Sequence, residues 1–450
     1  MKQEQKHYNT LESFQSSNLE DHKLLNVYLF HSRFDSSKAL SLRDSLLNCR
    51  NLTELTLQLG ENQLKDQGIC DLSQVFPSLK NIYKLSIDIS SNKIGPEGLS
   101  ALSLNLAKCK TITDFSLILS KSFIDNQCAA IIGTIFQNWE QIQTIKIDLN
   151  FNKIEDQGAH DVCQYLKNSQ ILQNLDIYLN ENQISRKGAQ GIGLGLGGCK
   201  YLEELNLQIG ENPIRCEGCF ELSCELEKCQ QLKFLTLSLF CTQIGDKGAS
   251  LIGESLCKFP SLQILNLIIH TNLIKEEGAA NFASNLSKTQ LSFKKLSINF
   301  SWNQIGINGA KQICSSLAKI KQTQNLELYI SSNKVILKGT EGFAHAFSQY
   351  EELQNLKLDL NQNQINNEGL SDIGSGLSMC KKLINLTLGL QVNHLGNEGA
   401  QKMCSSLVNF KNLKYLVLNL NSNGITKELG IRVVQKLKKL SKLVYLYIII

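Results

Sequence analysis

Arginine is scarce in this chain. Of 46 basic residues only six are arginine (Arg33, Arg43, Arg50, Arg186, Arg215 and Arg432), and no run of basic residues accompanies the net charge of +5. A nucleic-acid binder shows a clustered basic footprint, so no nucleic-acid partner is expected. Long apolar runs are missing too. No window approaches the roughly 18 apolar residues that a membrane span needs, and the opening M-K-Q-E-Q-K-H-Y-N-T is polar where a secretory leader would be apolar. With four prolines and no Pro- or Gly-rich tract, neither a linker nor a second domain is expected. The seven histidines are scattered, and no nucleophile, base and orienting group recur together as hydrolytic or transfer chemistry requires. A V-A-I-K-like strand, an H-R-D loop and a D-F-G element are all absent, which excludes kinase chemistry.

Cysteine, by contrast, is plentiful, with fifteen residues. Cys49, Cys109, Cys199 and Cys229 lie whole multiples of thirty residues apart, and Cys380 follows after a one-residue slip near Leu291-Ser292-Phe293. A cysteine in an apolar column acts as a small buried hydrophobe. The odd count and the polar start favour a reducing compartment, the cytoplasm or the nucleus. Cys216 and Cys219, with Cys224 and Cys229 nearby, resemble half of a zinc site, but no second C-x-x-C pair completes a tetrahedron. The run Gly193 to Gly198 matches G-x-G-x-x-G, yet it falls in the helical half of its unit, not directly after a strand. Neither metal nor cofactor is expected.

What fills the chain is one unit repeated. Asn51 to Lys80, N-L-T-E-L-T-L-Q-L-G-E-N-Q-L-K-D-Q-G-I-C-D-L-S-Q-V-F-P-S-L-K, is its clearest form. A fixed period of about thirty residues is the mark of a solenoid, and about 14 such units fill residues 21–450, ending in a terminal strand. Residues 1–20 are expected to be a polar N-terminal tail. The Asn column runs Asn62, Asn92, Ser122, Asn152, Asn182, Asn212, Thr242, Asn272, Asn303, Asn333, Asn363, Asn393 and Asn423. Six residues after each comes a Gly column: Gly68, Gly98, Cys128, Gly158, Gly188, Gly218, Gly248, Gly278, Gly309, Gly339, Gly369 and Gly399. Within a unit, Leu55, Leu57 and Leu59 alternate with polar residues as in a strand with one buried face. Ile69, Leu72, Phe76 and Leu79 follow at helical spacing. Each Asn is expected to pair with the backbone of a neighbouring coil. Each Gly is expected to supply positive φ or to relieve crowding.

The pattern L-x-x-L-x-L-x-L-x-x-N-x-I-x-x-x-G-a-x-x-L-x-x-x-L resembles the ribonuclease-inhibitor-like class of leucine-rich repeats, which includes ribonuclease inhibitor, Ran GTPase-activating protein and the repeat regions of NOD-like receptors. The resemblance implies an α/β horseshoe with parallel strands on the concave side and helices on the convex side. One departure from it is an extra apolar–polar pair before the Asn, which implies a longer or bulged strand.

On that fold the concave face exposes alternate strand residues, among them Ser86, Asp88, Lys146, Thr236 and Ser238. Acids outnumber lysines there, and Asp148, Asp176, Tyr178, Phe240, Ile268, His270, Trp302, Tyr329 and Asp359 are the candidate partner contacts. Exposed aromatics on a rigid scaffold suit hot spots for a protein partner, whereas scattered surface apolars are often idle. The expected function is a non-enzymatic, monomeric interaction scaffold. A GTPase activator of the Ran type is the alternative, with Arg186 and Arg215 as its contacts, although the acidic C-terminal tail common in that family has no counterpart here. A ribonuclease inhibitor would need a strongly acidic inner surface.

Overall fold

A computed structural model describes residues 5–337 and 343–450. The first four residues of the expected tail, and Gly339 of the Gly column, lie outside them. Sixteen strands form a parallel sheet in chain order, and a helix follows nearly every strand. The chain packs as two compact units, one of Met1–Ile214 with Glu221–Leu232, the other of Arg215–Phe220 with Lys233–Ile450.

In the first unit the strand Glu54–Gln58 points Leu55 and Leu57 inward. It pairs in register with Lys84–Asp88, Thr56 opposite Ser86. The extra apolar pair extends this ladder beyond the strand proper. Leu59 is fully buried, and its N–H donates to the Asp88 carbonyl at 2.8 Å. The chain then turns through Glu61, whose φ is 53°. A left-handed residue precedes the Asn column in unit after unit, as at Lys121, Phe151 and Glu181, and in the second unit at Thr271, Trp302 and Val392. Positive φ therefore clusters around the Asn column, before it and, as at Lys93 and Phe123, just after it, mostly on side chains that are not glycine, and not at Gly68.

Every described member of the Asn column is buried. Asn152 shows why the site wants a carboxamide. Its Oδ1 accepts from Ser122 N and Ile124 N, both at 3.0 Å, in the preceding coil. Its Nδ2 donates to Leu119 O of that coil at 3.0 Å and to Leu149 O of its own at 2.9 Å. In the second unit Asn303 repeats the scheme with Asn272 N, Ile274 N, Ile269 O and Phe300 O. An amide is the side chain that both donates twice and accepts twice. At Ser122 the hydroxyl fills part of this role, accepting from Ser91 N at 3.0 Å and donating to Ser120 O at 3.2 Å.

The Gly column answers to crowding. Asp156 in one coil caps the helix of the next, its Oδ1 accepting from Ser185 N at 2.7 Å and Gly188 N at 2.9 Å. A Cβ on Gly188 would lie 2.7 Å from that same oxygen. Asp66 and Asn126 cap the following helices in the same way, at Gly95 N and Gly98 N and at Glu155 N and Gly158 N. Where a carboxylate or carboxamide stands four residues after the Asn column it links one helix start to the next and satisfies exposed N–H groups there, whereas Pro96 and Arg186 hold that place in other coils.

One sequence expectation changes. Residues 5–20, within the segment expected to be a polar tail, carry a strand, Lys6–Tyr8, parallel to Leu25–Val27, and a helix, Leu11–Gln15, whose N-cap is Thr10. Phe14 is fully buried and touches Tyr8 and His22. The apolar residues Tyr8, Leu11 and Phe14 are spaced to cover the open end of the first strand, although polar neighbours dilute them. In the second unit the one-residue slip is absorbed in the loop, because Ile264 pairs with Phe234 on one side and Lys295 on the other.

The glycine run also finds its reason in packing. Gly193 and Gly195 lie in the helix Arg186–Leu196, where added Cβ atoms would be 2.9 Å from Glu225 Cβ and 2.6 Å from the Cys163 carbonyl. The helices on both sides approach too closely for larger residues. Cys49, Cys109, Cys199, Cys229 and Cys380 are buried, and burial pushes the Cys49, Cys199, Cys229 and Cys380 thiols up to about 12 and Cys109 to about 11. Thiolate is the reactive form. In native protein at mildly alkaline pH, iodoacetamide should therefore label the half-buried Cys70 and Cys216 before these five, which should react only on unfolding. Peptide mapping with and without denaturant checks this; equal labelling of both sets in native protein would contradict it.

Candidate interaction surface

On the outward face of the sheet, alternate strand residues stand in rows across neighbouring coils. In the first unit the strands Thr144–Asp148, Asn174–Tyr178 and Glu204–Gln208 align Lys146, Asp176 and Asn206 in one row and Asp148, Tyr178 and Gln208 in the next. The Lys146 ammonium lies over the Tyr178 ring, 5.4 Å from its centroid. Asn206 Nδ2 donates to the Tyr178 hydroxyl at 2.9 Å, and Gln208 donates back to Asn206 Oδ1 at 3.2 Å. Tyr178 is thus half-buried and held in place from two sides.

The second unit repeats the theme with other residues. Strands Lys295–Asn299, Asn325–Tyr329 and Asn355–Asp359 bring together Lys295, Glu327, Tyr329 and Lys357. The Lys295 ammonium pairs with Glu327 at 2.7 Å, and the Tyr329 hydroxyl donates to the same carboxylate at 3.3 Å. Lys357 lies 4.9 Å from the Tyr329 ring centroid. Burial alone would raise the Glu327 pKa, but the Lys295 ammonium and the Ser297 and Tyr329 hydroxyls hold it below the usual carboxylate value. Each tyrosine is therefore a ring under a cation, with its hydroxyl engaged, on rigid paired strands.

The candidate acids have a second role. Asp148 Oδ1 accepts from Asn150 N at 3.0 Å, and Asp359 Oδ1 from Asn361 N at 2.9 Å. Asn299 makes the same bond to Ser301 N at 2.9 Å. These are Asx turns that lead the strand into the left-handed residue. Burial raises the carboxyl pKa of Asp148, Asp176 and Asp359, so this face loses negative charge on acidification sooner than free carboxylates would.

Of the other candidates, Phe240 and His270 stack, with centroids 4.9 Å apart and planes 21° apart, beside half-buried Ile268. His270 Nδ1 lies 3.0 Å from the Thr271 hydroxyl. Trp302 departs from its expected place: with φ of 57° it occupies the turn before Asn303, not the strand face, and is 62% exposed there. Ser238, expected to be exposed, is buried. The Arg186 guanidinium is engaged with Glu221, and Arg215 begins the helix Arg215–Leu226 as an exposed residue. Phe123 and Phe151 escape the alternation rule entirely. They flank the Asn column at positions outside the strand pattern, and an aromatic next to that column is the signal that finds them. Among the described residues no group of three or more His, Cys, Asp and Glu is placed to hold a metal ion, and no helix is long and apolar enough to cross a membrane.

A family model described as Leucine Rich repeat matches residues 85–103, 231–253 and 352–374. A comparison with curated protein sequences finds no significant match. Among solved structures, the chain is similar to an internalin from Listeria monocytogenes, at 19% identity over 89% of this chain and 82% of that one, with a TM-score of 0.43. It is also similar to a structure of the Rad7 and Elc1 complex in yeast, at 14% identity over 91% and 82%, with a TM-score of 0.44. A third similar structure is a TLR13–ssRNA13 complex, at 17% identity and a TM-score of 0.46, where 89% of this chain covers 54% of that one. With three segments matching the repeat model and a strand, a turn and a helix recurring along the parallel sheet, the chain has the α/β fold of a leucine-rich-repeat solenoid.

Proposed function

We propose that the chain is a non-enzymatic leucine-rich-repeat scaffold of the ribonuclease-inhibitor-like class that docks a protein partner on the outward strand face, in a reducing intracellular compartment. The observation that carries this reading is the pair of tyrosines, Tyr178 and Tyr329, each pinned beneath a lysine on paired strands. A ring already fixed loses little freedom on binding, and buried tyrosines often dominate an interface. The acids around them favour a partner with a basic contact surface.

The test is to isolate partners from the source cell, express one that binds directly, and measure its affinity for variants. Replacing Tyr178 and Tyr329 together by Ala should weaken binding by about 1–3 kcal/mol. Asp148→Asn with Asp359→Asn should slow association and flatten its salt dependence, because Asn keeps the Asx turn and removes only the charge. A partner that binds the double Tyr variant as tightly as wild type would remove this face from consideration. Accelerated GTP hydrolysis by a bound GTPase, sensitive to Arg186→Ala or Arg215→Ala, would replace the scaffold reading with the GTPase-activator one.

A further inference from the structure

At the edge where the strands of the first unit end, the residues just before and just after the Asn column form two parallel files. Coil by coil they read Glu61 and Gln63, Ser91 and Lys93, Lys121 and Phe123, Phe151 and Lys153, Glu181 and Gln183. In the middle, lysine and phenylalanine alternate along each file and touch between neighbouring coils. The Lys121 ammonium lies 5.1 Å from the Phe151 ring centroid, and the Lys153 ammonium 5.4 Å from that of Phe123. Phe123 is 67% exposed and Phe151 45%.

Nothing in the fold explains these phenylalanines. Both have φ of 59°, a left-handed conformation that Asn or Asp adopts more easily than a bulky ring. Neither ring is buried, so neither contributes to the core. The left-handed turn recurs at these positions in other coils, as at Glu61, Ser91 and Lys93, and belongs to the fold. What the fold leaves unexplained is the pair of exposed rings, and exposed apolar surface rimmed by charge marks an interaction site.

We propose that this lysine–phenylalanine checkerboard, with Lys93 beside it, is a docking site for a short, extended, acidic segment of a partner protein. Charge selects the occupant. Three lysines in three successive coils are bracketed by Glu61 on one side and by Glu181 on the other, and Glu181 is close enough to feel the Lys121 charge. Neighbouring coils are about 4.8 Å apart, so the positive stretch spans only a few residues of an extended chain. A polyanionic nucleic-acid backbone running along the edge would meet those glutamates. Its bases would also find the ring faces already taken by ammonium groups, whereas carboxylates pair with the lysines and leave the ring edges to apolar side chains. This surface is separate from the strand face and calls for a partner of opposite charge.

The test is fluorescence anisotropy with a labelled peptide of alternating glutamate and leucine, the same peptide with glutamine in place of glutamate, and an oligothymidylate of equal length. Wild-type protein should bind the glutamate peptide in preference to both. Phe123→Asn with Phe151→Asn should weaken it by about tenfold, with the fold retained because Asn accepts the left-handed backbone. Lys121→Glu with Lys153→Glu should abolish binding. Tyr178→Ala with Tyr329→Ala should leave it unchanged, which separates this site from the strand face. No binding of the glutamate peptide, equal binding of the glutamine peptide, preference for the oligonucleotide, or indifference to the Phe substitutions would each overturn the proposal.

Discussion

Replacing Asn152 by Ala is expected to lower stability by about 3 kcal/mol or more, because each buried backbone group left without a partner costs about 1–3 kcal/mol. Three such groups depend on this one carboxamide, Ser122 N, Ile124 N and Leu119 O, whereas Leu149 O keeps the Asn182 Nδ2 donor. All three belong to the preceding coil, so the damage crosses to a unit that carries no substitution. Asn152→Ser should fall between Ala and wild type, since Ser122 shows a hydroxyl acting in this column. Urea unfolding gives the magnitude, and amide hydrogen exchange locates it. Faster exchange should appear around residues 119–124 as well as at the substitution. An Ala variant within about 1 kcal/mol of wild type, the range of an ordinary substitution, would show that the column is not what holds the coils together.

Gly188→Ala sets two effects against each other. Alanine in a helix gains about 1 kcal/mol over glycine. Against this, the new Cβ would lie 2.7 Å from Asp156 Oδ1 and 2.9 Å from Asp156 Cα. Overpacking costs about 1–3 kcal/mol, and displacing the carboxylate removes a helix cap worth about 1 kcal/mol. The net expectation is a loss of about 1–3 kcal/mol. Gln190→Ala, an exposed position on the same helix, has no clash and should be neutral or slightly stabilising. Chemical denaturation of the two variants side by side decides the matter. Equal stability in both would mean that the coils can separate enough to admit a methyl group, and that crowding does not explain the Gly column.

The strands and helices were legible because a strand alternates with period two and a helix with about 3.6, and both periods stand out against a thirty-residue repeat. The role of Asp156 was not, because its partner is the backbone of the next coil, and a sequence shows which residue recurs but not what it faces. The same blindness made Gly68 a candidate for positive φ. Left-handed conformations fall on Glu61, Lys121 and Phe151, whose side chains share no chemistry that could announce them. On the strand face, alternation picked out Tyr178 and Tyr329 and also Lys146 and Lys357, but not the stacking of each lysine over its ring, since each pair sits on adjacent strands. Asp148 and Asp359 looked like free surface charge because an Asx turn leaves no mark beyond the acid itself.

The carboxamide bonds of Asn152 to the coil before it join residues 28 to 33 apart, and those of Asn363 have the same reach. Loop-closure entropy depends on the logarithm of that separation, so it is nearly the same early and late in the chain, and it does not grow with the number of coils. Folding of such a chain can start at one place and spread to its neighbours. On the ribosome, a coil has its ladder partner as soon as about thirty more residues emerge. Structure can then accumulate at the pace of synthesis, without waiting for distant sequence, and a stalled or truncated chain would still hold the coils already closed.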